Sequence, residues 1–366
     1  MTASTSPAGH GPSPRIDVGP AAPADDAGDG PALRIDSPGF STLLRARGRP
    51  AGEPGTVPSG WADPVSALAA HRLVGNPPGA PLLENTGGSL RVTALGDLVV
   101  AVTGAEAPLS VECGGAGGLD GPGGSGGSGG AVRPAPARRP FALRRGERLV
   151  VGTVRRGLRV VLSVRGGLVP GSAEGEEGGV VCLPLSRGRV LAVGEEPRCA
   201  VATHEVPAPL PEPSGVTAVA LPRKLRAADL AAEAGRSPED QPLEARRSSE
   251  GLPLLAGRTW RVSEEGDHIG VLLTPEDDGA ALPPGDLGES AAASSGLAAG
   301  AVQLLPGGEA RLLLTDLPEA GRDAVPDGRD PVPDRRAVVL AHLDAATTRL
   351  LAQAAPGARI RFDAEA

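Results

Sequence analysis

Apolar residues in this chain come in short runs, and within the runs they alternate with polar ones. Leu158-Arg-Val-Val-Leu-Ser-Val164 is the clearest case. Leu158, Val160, Leu162 and Val164 share one face, while Arg159 and Ser163 lie on the other. That period of two belongs to a strand with one buried side. Similar short runs occur at 97–103, 148–154, 179–183, 189–193, 269–273, 310–314 and 336–341, and Ile360 and Phe362 alternate with arginines near the end. None reaches the ~18 residues that a membrane-spanning helix needs. Strands this short and numerous, with turn residues between them, predict a mainly β protein built of closed or sandwiched sheet. With 3 Phe, 2 Trp and no Tyr, the core has to be made from Leu, Val and Ala.

Helices are few. Asp63 can cap a helix over 63–74, with Pro64 at its first position, where a missing N–H costs nothing. Val65, Leu68, Ala69 and Leu73 are its predicted apolar stripe, and Gly75 can end it in left-handed geometry. Asp344 opens a second helix that ends before Pro356-Gly357, and a weaker one covers 224–235. Residues 1–32 hold Pro, Gly, Ala and Asp without periodicity and read as a disordered tail. Residues 114–130, GGAGGLDGPGGSGGSGG, read as a flexible tether, because no GK[ST] follows them as a phosphate loop requires. Residues 236–256, 276–296 and 318–335 read as loops.

Charge and chemistry exclude several classes. The net charge is -8 and stacking aromatics are almost absent, which argues against nucleic acid. The N-terminus has no basic start followed by an apolar stretch, so no secretory signal is expected there. Cys113, Cys182 and Cys199 form no CxxC pair, and no HxxxH or His-Cys cluster exists, so neither a disulfide framework nor a metal site is expected. Cytoplasm is the expected compartment, and no membrane contact is expected.

Three segments together resemble a known family. The first is Pro38-Gly-Phe-Ser-Thr42, Gly48-Arg49-Pro50 and Pro58-Ser59-Gly60-Trp61-Ala62-Asp63-Pro64. It continues through Leu73-Val74-Gly75-Asn76-Pro77 to Leu83-Glu84-Asn85-Thr86-Gly87-Gly88. The second is Val102-Thr103-Gly104-Ala105 with the strands ending at Gly166-Gly167. The third runs from Gly300-Ala301-Val302-Gln303 through Pro306-Gly307-Gly308 to Pro356-Gly357-Ala358-Arg359-Ile360-Arg361-Phe362. They are similar to the biotin-dependent carboxyltransferase family, which includes the second component of allophanate hydrolase and the C component of 5-oxoprolinase.

The resemblance implies two cyclophilin-like β-barrel domains, over 33–200 and 201–366. It implies a sister subunit, similar to the B component of 5-oxoprolinase or the first component of allophanate hydrolase. ATP would activate a small lactam or ureido acid for hydrolysis. Biotin attachment is not implied, since Lys224, the only lysine, lies in Pro-Arg-Lys-Leu-Arg. There are departures. Where the family has Val-Gln-Asp-Leu, this chain has Leu44-Arg45-Ala46-Arg47, and after Gly166-Gly167 only Gly171-Ser172 remains of a Gly-Ser-x-Ser-Thr stretch. Ser-Asp-Arg-Met-Gly-Tyr becomes Gly266-Asp267-His268-Ile269-Gly270-Val271. Asp-Arg-Gln-Thr-x-Gly-Gly-Tyr-Pro-Lys becomes Asp316-Leu-Pro-Glu-Ala-Gly321, with Arg336 near the lysine's place.

The candidate catalytic residues are Glu84 and Asp267. Asp63, Asn85, Gln303, Asp316 and Arg336 are the candidate substrate-binding residues. Each of the first four has a structural alternative where its context suggests one: Asp63 as a helix cap, Glu84 and Asn85 as partners for turn amides, and Asp267-His268 as a solvated turn. His71 is expected to pack and Cys182 to be a buried thiol. Residues 133–165 hold ten arginines and one acid, Glu147. They form either an anion-binding face or, as preferred here, a solvated outer face. Two functions follow: a subunit of an ATP-dependent amidohydrolase, or a non-catalytic partner of the sister subunit whose pocket has decayed. A barrel retuned to another substrate is a third.

Overall fold

The computed structural model describes residues 30–46, 60–113, 131–169, 182–202, 216–221, 255–266, 269–276, 299–305, 308–314 and 338–364. Outside them lie residues 1–29, the Gly-rich 114–130, the 224–235 helix, the 318–335 loop and most of the other two loops.

The first unit opens with β1 (Ala32–Pro38), β2 (Ser41–Arg45) and helix α1 (Pro64–Val74). Strands β3 (Leu82–Thr86), β4 (Leu90–Ala94), β5 (Leu98–Glu106), β6 (Leu109–Glu112), β7 (Val132–Pro134) and β8 (Pro140–Leu143) follow. Then come β9 (Arg148–Val151), β10 (Arg156–Val164), β11 (Leu168–Val169), β12 (Cys182–Pro184) and β13 (Val190–Val193). They make two sheets, in the orders β11-β13-β1-β4-β9-β6-β7 and β12-β2-β3-β10-β5-β8. The sheets face each other across one core of Leu33, Ile35, Val92 and Leu149 on one side and Leu44, Leu83, Val100, Val160 and Leu162 on the other. Every fully buried member of that core is aliphatic, as the shortage of aromatics demands.

The second unit is a single seven-stranded sheet, β14-β20-β15-β16-β18-β17-β19, with helix α2 (Ala345–Ala352). Its strands are β14 (Val216–Leu221), β15 (Thr259–Val262), β16 (Gly270–Pro275), β17 (Ala301–Leu304), β18 (Ala310–Leu313), β19 (Val338–His342) and β20 (Arg359–Ala364). It curves around Trp260, Leu273, Val302, Leu312, Leu351 and Phe362, and Ala62 of the first unit joins this core. The protein is mainly β, with sheets curved into partial barrels of the cyclophilin-like kind. Each short alternating run lies on or overlaps a strand.

Strand β10 is buried on both faces. Val160, Leu162 and Val164 fill the aliphatic core, while Val161 packs with Trp61, Ala67 and Ala70 beneath α1. Asp63 caps α1 by accepting from Ser66 N at 3.0 Å, and Gly75 ends it with φ of 73°. The buried face corrects the predicted stripe: it is Ser66, Ala67, Ala70, His71, Leu73 and Val74, and Val65 is 51% exposed. Small Ala67 and Ala70 let the helix lie close on β5 and β10, and that close packing outweighs burial of the larger Val65.

The register of β10 against β5 shifts between Arg156 and Val160. Gly104, on β5 with φ of 84°, faces this bulge, and a Cβ there would stand 2.3 Å from the Arg159 carbonyl oxygen. The bulge turns the Leu158 and Arg159 amides toward the second unit, where both donate to Gln353 Oε1 at 2.9 and 2.8 Å.

Candidate functional site

Between the outer face of β2, β3 and β10 and the facing end of β15 and β16 lies a cleft of about 620 Å³. Register explains its polar floor. Leu43 pairs with Glu84, Ser41 with Thr86, and Thr86 with Arg159, so these side chains share one face. Val262, Gly270, Val271 and Pro356 close the other side. Phe40 stands at the rim.

Glu84 is 3% exposed. Its Oε2 accepts from Ala62 N at 3.0 Å. Its Oε1 lies 3.8 Å from Arg45 Nη1 and 3.8 Å from Arg159 Nε. Both guanidiniums are held from behind: Arg45 donates to the Gly60 carbonyl and Arg159 to the Ala352 carbonyl. Buried charges survive only when paired and hydrogen-bonded in this way. Of the trio, Arg159 and Glu84 reach the cleft, whose lining also includes Glu264.

A second cluster sits behind it. Buried Asp63 accepts from Ser66 Oγ at 2.5 Å, Arg349 Nε at 3.0 Å and Gln353 Nε2 at 2.9 Å, besides the Ser66 amide. Gln353 Nε2 also donates to the Arg159 carbonyl at 3.0 Å. Asp63 is thus a cap and an anchor between units, with its oxygens engaged by protein.

Of the other candidates, Asn85 points to the opposite face of β3 from Glu84. It is fully buried and donates from Nδ2 to Pro38 O, Ser41 O and Thr42 Oγ1 at 3.0–3.1 Å. Gln303 sits on β17 opposite Arg311 and is not among the residues lining the cleft. Asp267, Asp316 and Arg336 lie outside the described residues, although Gly266 and Gly270 on either side of Asp267 line the cleft. The Cys182 side chain also lies outside them.

His71 packs against Trp61 with ring centroids 5.4 Å apart, and its Nδ1 is 3.1 Å from Ser163 Oγ. Burial pushes its imidazole down to about 4, a contact to the Ala80 backbone offsetting part of the fall. Within 133–165 the expected solvated face fails at two positions. Arg159 is 4% exposed, and Arg165 donates to the carbonyls of Val74, Pro197 and Cys199. The end of α2 covers Arg159, and helix α1 with the 195–200 segment covers Arg165, which a one-face strand pattern does not reveal.

Arg45, Arg159, Arg349 and Gln353 were not singled out from sequence. The signal for Arg159 was an arginine between valines and leucines in a strand. For Gln353 there was none.

Residues 54–322 match the model of the carboxyltransferase domain, subdomain A and B family. The chain belongs to this family. The matched span includes Glu84, Arg159 and the cleft wall at Val262 and Val271. The urea amidolyase of Lachancea kluyveri is 28% identical over 207 residues, which is 52% of this chain and 10% of that protein. The chain therefore spans about a tenth of the length of this curated relative. The crystal structure of TTHA0988 superposes with a TM-score of 0.58 at 27% identity, covering 90% of this chain and 99% of that one. The Kluyveromyces lactis urea carboxylase shares the fold, with a TM-score of 0.59 at 22% identity over 90% of this chain and 27% of that one.

ATP, implied by the resemblance, does not fit the described residues of the cleft. They include no lysine, the first-turn amide of α1 that reaches Asp63 is taken, and the two guanidiniums are engaged with Glu84 and backbone carbonyls. Among the described residues, no group of three or more His, Cys, Asp and Glu is placed to hold a metal ion. Among them also, no helix is long and apolar enough to cross a membrane.

Proposed function

We propose that the chain is one subunit of an ATP-dependent, cytoplasmic amidohydrolase assembly, and that its cleft holds a small lactam or ureido acid. The observation that carries this is the Arg45–Glu84–Arg159 trio at the floor of a cleft between the two units. Glu84, Arg159, Thr86 and Ser41 give the floor hydrogen-bonding groups of both kinds, which suits the polar head of a ureido or lactam acid. Arg159 and Glu84 are the charged members of that floor. The Ala352 carbonyl, which accepts from Arg159 Nη1, holds the guanidinium in place beside Glu84. The Val262 and Val271 wall keeps water from the bound group. ATP use is assigned to the assembly with a sister subunit, of the kind found as the B component of 5-oxoprolinase or the first component of allophanate hydrolase, since the cleft does not fit a triphosphate.

A non-catalytic partner role is the second reading, and one observation favours it. Glu84 Oε2 accepts from Ala62 N and Oε1 lies 3.8 Å from two guanidiniums, so the carboxylate is built into a buried network that holds the strands and the 60–62 segment together. Under this reading the cleft binds a ligand and the sister subunit does the chemistry. The test is ADP release by the two subunits together, with 5-oxoproline, allophanate and their apolar-substituted analogues. Turnover above either subunit alone supports the enzyme reading, and its absence on all of them overturns it.

A further inference from the structure

Phe40 is 80% exposed at the rim of the cleft. The chain has three phenylalanines, and the other two are packed: Phe362 is fully buried and Phe141 lies partly buried against the aliphatic core. The exposed ring is also held in place. Pro38, Ser41 and Thr42, which flank it, all take hydrogen bonds from the buried Asn85 amide. Thr42 Oγ1 donates back to Pro38 O at 2.6 Å. Gly39, with φ of 66°, makes the turn, and a Cβ there would stand 2.1 Å from the Gly88 carbonyl oxygen. A buried amide that pins a tight turn and leaves an aromatic ring in water at a cleft mouth resembles a preformed contact surface.

The walls agree. Beyond the floor, Leu43, Leu158, Val262, Val271, Ala354 and Pro356 line the cleft together with Phe40, and Ser263 and Glu264 add a polar edge on the second unit's side. Its volume of about 620 Å³ falls within the range of sites that take ligands much larger than a bare lactam. A compact polar acid would fill the floor and leave the apolar walls and Phe40 wet.

We infer that the ligand is a ureido or lactam acid bearing an apolar substituent, its polar head on the Arg159–Glu84 floor and its substituent against Phe40. This rests on the small-acid reading of the cleft given above, and it makes Phe40 a specificity-determining residue. Asn85 is then a positioning residue, since it acts only through the turn.

The test is titration calorimetry on the full chain with N-carbamoylglycine and N-carbamoyl-leucine, which share a head and differ by an isobutyl group. The expected result is at least tenfold tighter binding of the leucine compound. Phe40→Ala should remove that advantage and leave the glycine compound unchanged, and Phe40→Trp should restore it. Because Phe40 is exposed, unchanged thermal melting of the variants is expected and is checked in parallel. Equal affinities, no measurable binding of either compound, or an advantage that survives Phe40→Ala overturns the inference. The outcome is separable from the assembly's activity. Phe40-dependent binding without ADP release refutes the enzyme reading alone. Turnover of the bare acids with no Phe40 dependence refutes this inference alone.

Discussion

Gln353 donates from Nε2 to Asp63 Oδ2 at 2.9 Å, joining the end of α2 to the cap of α1. The same side chain accepts both backbone N–H groups of the β10 bulge and donates to the Arg159 carbonyl. One side chain from the second unit therefore completes the ladder of a strand in the first. It does so beside the residue that floors the cleft.

Gln353→Ala removes four hydrogen bonds and leaves the buried Arg159 amide and the part-buried Leu158 amide without this acceptor. At about 1 kcal/mol per bond, with the added cost of orphaned donors, the loss should be roughly 3–5 kcal/mol. Denaturant unfolding measures it. Arg349→Ala, which removes one partly exposed contact to Asp63, should cost far less.

Glu84 and Arg159 should be coupled. Glu84→Gln leaves two buried guanidiniums against a neutral amide and is expected to cost about 3 kcal/mol. In a double-mutant cycle with Arg159→Met, the second change should cost less once the first is made, with a coupling of at least about 1 kcal/mol. Additive effects would mean that the 3.8 Å approach carries no interaction.

The strands and both described helices were legible because alternation and capping are local signals. Leu158–Val164 shows its period in seven letters, and Asp63 and Asp344 precede their helices by one residue. The site was legible only in part. Glu84 stood out beside its glycines, but its neighbours arrive from far along the chain. Arg45 comes from β2, Arg159 from β10, and the lock on them from Gln353. The α1 stripe differs from expectation because hydrophobic size, not fit against β5 and β10, sets the sequence pattern. Only the tertiary contact reveals that Ala67 and Ala70 are the packing face.

His71 should make the protein acid-sensitive in a defined window. Its folded-state imidazole is held near 4, below the ordinary 6.5. As pH falls through 6.5 the unfolded chain takes up a proton that the folded one refuses, so stability drops until about pH 4 and then levels. At 1.36 kcal/mol per unit the loss is about 3 kcal/mol. His71→Gln should lack that slope. Chemical denaturation at a series of pH values compares the two.

Asp344 acts in the same direction as the buried histidine, in a more acidic window: its contribution too is lost as pH falls. The Thr347 amide that it caps holds its carboxyl below the usual value, so its contribution is present at neutral pH and lost as pH falls through the folded value. Asp344→Ala should cost about 1 kcal/mol at pH 7. The difference from wild type should vanish in strong acid. Melting temperatures at both pH values check it.

The most direct measurement of the cleft's role is ADP release by the chain together with its sister subunit, with wild type and Phe40→Ala compared on the bare acids and on apolar-substituted analogues. Turnover above either subunit alone is expected, fastest on a substituted ureido or lactam acid and slowed on that substrate by Phe40→Ala. Absence of turnover on every substrate, with both subunits folded and associated, would contradict it.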